Sequence, residues 1–175
     1  RELIFEDCRI PKENLISKEG MGFMVAMKTF DKSRPMVAAQ AIGIAQGALE
    51  IAVKYSKERQ QFGKPISSFQ AVQFMLADIA TLIYTSESLI YRTAAKYDEG
   101  KMLSRESAMV KLVVSEALDK VVDLAMQVHG GMGYSKEMPI ERFYRDARIN
   151  RIFEGTTEVQ KIVIAHDILK RNGRM

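Results

Sequence analysis

RPMVAAQAIGIAQGALEIAVKY, residues 34–55, places apolar or small residues at Val37, Ala41, Ile44, Ala48, Ile51 and Tyr55, in steps of four and three. That spacing returns to one face of a 3.6-residue helix, so it predicts a long helix with a single buried stripe. Pro35 suits the first turn of such a helix, where its missing N–H costs nothing. Gly63 and Pro65 stop it. Working outward, residues 67–98 repeat the pattern with Val72, Leu76, Ile79, Ile83, Ile90 and Tyr97 and stop at Gly100. Residues 104–129 repeat it again with Val110, Val113, Ala117, Val121, Leu124 and Val128, and Gly130, Gly131 and Gly133 break it. Gly20 and Gly22 open a short helix to about residue 30, a second short helix follows Pro139 to about residue 148, and a last helix covers residues 157–171. Long helices with short connections predict an all-α, up-and-down four-helix bundle with short extra helices. Residues 3–10, rich in β-favouring side chains and ended by Pro11, read as a residual N-terminal strand.

The composition narrows the function. A hydrophobic share of 47% over 175 residues, with charges interspersed, describes one well-buried globular domain rather than disorder. Net charge is only +4, from 26 basic against 22 acidic residues, and the basic residues are scattered along helix faces rather than gathered into a stripe for nucleic acid. Cys8 is the single cysteine, which excludes an intramolecular disulfide and favours a reducing compartment. His129 and His166 lack the Glu-x-x-His partners of a di-metal bundle, since Met126 and Val163 stand three residues before them; no metal is expected. No apolar run reaches the ~18 residues of a membrane span.

One stretch carries a chemical signature. Phe153-Glu154-Gly155-Thr156-Thr157-Glu158-Val159-Gln160 sets a carboxylate between an apolar flank and a helix start. Ile152 and Phe153 would dehydrate Glu154, which suits a general base. Gly155 permits close approach of a ligand, Thr157 with Gln160 forms a capping-box pattern, and the unpaired N–H groups of a helix start attract anions. By itself the octapeptide is also what an exposed turn before a capped helix looks like.

Further segments join it: Arg59-Gln60-Gln61-Phe62-Gly63-Lys64-Pro65-Ile66 with Phe69-Gln70, Gln127-Val128-His129-Gly130-Gly131-Met132-Gly133-Tyr134, and Arg145-Asp146-Ala147. In order and spacing they resemble the C-terminal domain of the acyl-CoA dehydrogenase family, from about residue 3 to the C-terminus. Phe30-Asp31-Lys32-Ser33-Arg34-Pro35 is most similar to its medium- and short-chain branches.

The resemblance implies an FAD-dependent enzyme that converts a saturated acyl-CoA to its trans-2-enoyl-CoA. Glu154 would remove the α proton and a hydride would pass to N5 of the flavin. Some relatives carry the base on the segment corresponding to Asp31 to Arg34, but here Ser33 holds that place. Arg59, Gln61, Phe62, Gln70, Gln127, Gly130, Gly131, Thr156 and Glu158 are the implied FAD contacts. Asp31, Arg34 and Gly155 are the implied substrate contacts, and Arg145 with Asp146 would brace the Glu154 loop. Residues 1–19 would be the end of a preceding β domain and its linker, with residues 20–175 the bundle. A dimer of dimers, an electron-transfer flavoprotein as partner, and a cytoplasmic location, or the mitochondrial matrix in a eukaryote, also follow. The 175 residues alone are then expected to bind FAD poorly and to be inert. An acyl-CoA oxidase of the same fold and a non-catalytic oligomerising scaffold are the alternatives.

Overall fold

Pro35 does not begin a helix; it lies inside one. In the computed structural model, which describes residues 2–100 and 104–173, the two helices expected on either side of it are a single helix, α1, Gly22–Glu58. An internal proline lacks an N–H and leaves the carbonyl four residues earlier without its helical donor. That carbonyl belongs to Asp31, and the Ser107 hydroxyl donates to it from a neighbouring helix at 2.6 Å. The Asp31 carboxylate is held by Arg34 at 3.2 Å and by the Ser104 hydroxyl, so the helix passes its proline with its polar groups partnered.

After α1 the chain turns through a two-strand ladder, β1 (Gln60–Gln61) and β2 (Lys64–Pro65). Phe62 and Gly63 at its tip both have positive φ, as a two-residue hairpin with right-handed twist requires. Ile66–Ser68 forms a 3-10 turn, so α2 begins at Gln70 rather than at residue 67 and runs to Asp98. α3 (Ser104–His129), α4 (Ile140–Arg148) and α5 (Thr157–Lys170) fall where the sequence pattern places them, to within a residue.

Contacts fix the directions. Ser107 meets Asp31 near the early part of α1 and the start of α3, while His129 stacks on Tyr55 near their ends with centroids 4.4 Å apart, so α1 and α3 are parallel. α2 returns between them, joined by Gln46 to Glu87 at 3.2 Å and by Lys96 to Glu106 at 3.1 Å. α4 and α5 together form the fourth leg, antiparallel to α3: Tyr144 reaches Asp123 and Arg148 reaches Asp119, then Lys111 meets Gly155 and Arg105 meets Asp167. The up-and-down bundle is therefore as expected, with its last leg broken between α4 and α5. Glu154 sits in that break.

The core is built on small residues. Ala38, Ala41, Ala45, Ala48 and Ala52 make the buried line of α1, and Val110, Val114, Leu118, Val121 and Val122 face inward from α3, with Ile79 and Ile83 from α2. The stripe read from the sequence is rotated slightly from this line, because the large residues Val37, Ile44 and Ile51 flank the helix contact while alanines fill it. By length and composition α1 could cross a bilayer; its alanine line is packed against α3, and Arg34 on it is buried beside Asp31, as in a core helix.

Residues 3–10 form no strand. A strand needs a neighbour to satisfy its backbone groups, and among the described residues the only ladder is β1 with β2. Leu3, Ile4, Phe5 and Ile10 are left exposed.

Candidate active site

A 3-10 turn, Ile149–Arg151, leads out of α4, and Arg148 and Arg151 both pair with Asp119 of α3, at 3.1 and 2.9 Å. The chain then turns sharply: Glu154 has φ +57° and Gly155 φ +93°. A left-handed conformation costs a non-glycine residue about 1–2 kcal/mol, so something must hold it. Three buried donors do. Gln160 Nε2 donates to the carbonyls of Glu154 (3.1 Å) and Gly155 (2.9 Å), Lys111 Nζ donates to the Gly155 carbonyl (2.8 Å), and Arg34 Nε donates to the Glu154 carbonyl (3.4 Å). A Cβ on Gly155 would stand 2.8 Å from Gln160 Nε2, so glycine is required by space as well as by φ. The Glu154 carboxylate itself accepts from the Ser33 hydroxyl.

Two details differ from the sequence reading. Thr156, not Thr157, caps α5, its hydroxyl accepting from the Val159 N–H at 3.4 Å. The helix starts one residue earlier than the capping-box spacing assumed, which makes Val159 the third helical residue and turns Gln160 inward onto the loop. Ile152 is also 48% exposed, so the apolar flank covers Glu154 only in part.

The electrostatics follow from burial. Burial pushes Lys111 down to about 8, Arg34 and Arg151 add to that, and Glu154 and Glu158 oppose it. Arg34 is lowered by its own burial against the pull of Asp31 and Glu154. Glu158, fully exposed, is lowered by its own backbone N–H and by the Thr156 hydroxyl, so its carboxylate sits at the positive end of α5.

The expected site residues fall into two groups. Asp31, Arg34, Glu154, Gly155, Thr156 and Glu158 gather around the α4–α5 break. Arg59, Gln61, Phe62, Gln70, Gln127, Gly130 and Gly131 lie at the other end of the bundle, on the hairpin after α1, the start of α2 and the end of α3, and all are exposed. Arg34 and Arg59 are 25 residues apart on α1, or about 37 Å at 1.5 Å per residue. Arg145 does not brace the Glu154 loop; it pairs with Glu141 one turn back within α4, at 3.0 Å. Arg148 and Arg151 do the bracing. Ser33, Lys111 and Gln160 are the contacts the sequence reading did not single out for the loop, although a lysine on the buried stripe of α3 is itself a signal.

A family model described as "Acyl-CoA dehydrogenase, C-terminal domain" matches residues 20–169. The chain belongs to this family. It is 52% identical to the acryloyl-CoA reductase (NADH) of Anaerotignum propionicum over 97% of its length and 43% of that protein. It is also 52% identical to the mitochondrial short-chain specific acyl-CoA dehydrogenase of Rattus norvegicus, over 96% of its length and 41% of the relative. The three-dimensional structure of butyryl-CoA dehydrogenase from Megasphaera elsdenii superimposes with a TM-score of 0.91 at 46% identity, over 95% of this chain and 43% of that one. This acyl-CoA dehydrogenase domain thus spans less than half of each of these proteins.

Exposed groups at the hairpin end fit the cofactor such a family implies. A guanidinium (Arg59), three amides (Gln61, Gln70, Gln127) and an aromatic ring 91% exposed (Phe62) offer what a molecule with phosphates and a flat heterocycle would bind.

Proposed function

We propose that this domain serves an FAD-dependent enzyme that removes two hydrogens from a saturated acyl-CoA to give the trans-2-enoyl-CoA, with Glu154 as the base. The observation that supports it most is a carboxylate whose backbone is clamped by three buried donors while its side chain has, among the described residues, a single hydroxyl partner, Ser33. Such an arrangement spends no reorganisation when the carboxylate is used. The α proton of a thioester is weakly acidic, and a fixed carboxylate beside it can accept that proton once the Ser33 hydroxyl gives way. Asp31 and Arg34, joined at 3.2 Å beside the loop, would hold part of the CoA moiety.

Arg59, Gln61, Phe62, Gln70, Gln127, Gly130 and Gly131 at one end, with Thr156 and Glu158 at the other, would hold FAD. When bound, FAD accepts the two electrons that leave the substrate. The two groups, about 37 Å apart along α1, are beyond the reach of one FAD molecule, which supports a site completed by a second copy of the chain. A dimer of dimers passing electrons to an electron-transfer flavoprotein completes the proposal.

Anaerobic addition of a saturated acyl-CoA to the flavin-loaded full-length enzyme tests it. Rapid bleaching of the oxidised flavin in wild type, slowed at least about a thousandfold in Glu154→Gln, is expected for loss of an essential base. Equal bleaching would move the base elsewhere, a protein without flavin or response would favour a scaffold, and steady peroxide in air would mark an oxidase.

A further inference from the structure

Lys111 lies on the buried stripe of α3 between Ser107 and Val114 and is 0% exposed. Burying a cation is costly unless it is paired, and among the described residues Lys111 forms no ion pair within 4 Å. Its hydrogen bond goes instead to the carbonyl of the residue after Glu154, at 2.8 Å. The charged groups that face it are Arg34 from α1, Glu154 from the loop, Arg151 from the turn after α4, and Glu158 from α5. Gln160 grips this carbonyl and that of Glu154, but it belongs to α5 and so ties the loop only to its own following helix. Lys111 ties the loop to α3, at the centre of the bundle.

We propose that Lys111 is a positioning residue for Glu154: by holding the Gly155 carbonyl from α3 it fixes the left-handed turn that carries the carboxylate. This rests on Glu154 being the base. Gly155, at φ +93°, lies in a region where the peptide on either side can rotate; its carbonyl belongs to the Gly155–Thr156 peptide, and rotation of that peptide would loosen the turn and swing the carboxylate off its line. The Lys111 ammonium resists that rotation from α3, while Arg34 of α1 holds the preceding Glu154 carbonyl at 3.4 Å.

The test compares flavin-loaded full-length wild type, Lys111→Met, Lys111→Gln, Glu154→Gln and the Glu154→Gln/Lys111→Met double variant, with butyryl-CoA as the probe under anaerobic conditions. Lys111→Met keeps the volume and loses the donor. Its flavin-bleaching rate constant is expected to fall about 10- to 100-fold while flavin content and butyryl-CoA affinity stay within about twofold. Lys111→Gln, which keeps a shorter, uncharged donor, is expected between Met and wild type. In the Glu154→Gln background, Lys111→Met is expected to cause no further loss, because it acts through a carboxylate already gone. A wild-type rate in Lys111→Met, or the same fold-loss repeated in the Glu154→Gln background, would overturn the proposal. If Lys111→Met does not retain flavin, Lys111→Gln decides: an intermediate rate at unchanged affinity supports it and a wild-type rate overturns it. Normal bleaching by Glu154→Gln alone would remove the base assignment itself, and this inference with it.

Discussion

Lys111 is buried against Arg34 and Arg151, and its ammonium form is held down to about 8 in the folded chain, against 10.5 when free. Between those values the unfolded state binds more protons than the folded one, so the stability contributed by this group rises with pH. Below about pH 8 the cost of keeping the cation buried is felt in full; above 10.5 it is gone. At about 1.4 kcal/mol per pH unit the whole window is worth on the order of 3 kcal/mol. Urea unfolding of wild type and Lys111→Met, at pH 8 and pH 10, reads this directly: wild type should gain stability relative to the variant as pH rises. A difference that stays flat would mean the lysine is charged across the window. The activity argument runs the other way, since an ammonium is the stronger donor to the Gly155 carbonyl. On the proposed role of Lys111, the buried cation costs stability and in return holds the Glu154 loop.

At the scale of elements, α1 depends on a hydroxyl 76 residues away, on α3. Its proline leaves the Asp31 carbonyl without a donor, and Ser107 of α3, 1% exposed, fills the vacancy. Ser107→Ala should therefore cost about 1–3 kcal/mol, the penalty of an unsatisfied buried carbonyl, where an ordinary Ser→Ala on a helix costs little. Differential scanning calorimetry of the two proteins checks it; an unchanged transition would show that water reaches the carbonyl. The same contact explains where the sequence was legible and where it was not. Local signals placed α3, α4 and α5, because glycines, Pro139 and the hydrophobic period act within a few residues. Whether Pro35 starts a helix or sits within one depends on a hydroxyl supplied by another helix, which no local window contains. The strand expected at residues 3–10 failed for the same reason, since a ladder is a property of two segments. At the site, the Glu-Gly-Thr-Thr-Glu run marked the loop, but the donors that clamp it, Lys111 and Gln160, look in sequence like a stray charge and half of a capping box.

For the whole molecule the decisive fact is that α1 is long. It carries Arg34 near the Glu154 loop and places Arg59 about 37 Å away, so no folding of one copy brings the two ends together. If a cofactor is shared, the second end must come from a neighbour, and a two-fold interface supplies it twice by symmetry. Mixing two inactive full-length variants distinguishes this from a site within one chain. On the proposed site, Arg59→Ala would disable the end a copy lends, and Glu154→Gln the end it keeps. When the two are co-expressed, half of randomly assembled pairs are mixed, and each mixed pair regains one intact site of its two. Activity should recover to about a quarter of wild type, with each variant alone remaining low. A site closed within one chain would give no recovery at any mixing ratio, because every site would still carry one of the two lesions. The recovered fraction should also rise and fall with the mixing ratio, peaking at equal amounts, since only hybrid pairs carry an undamaged site.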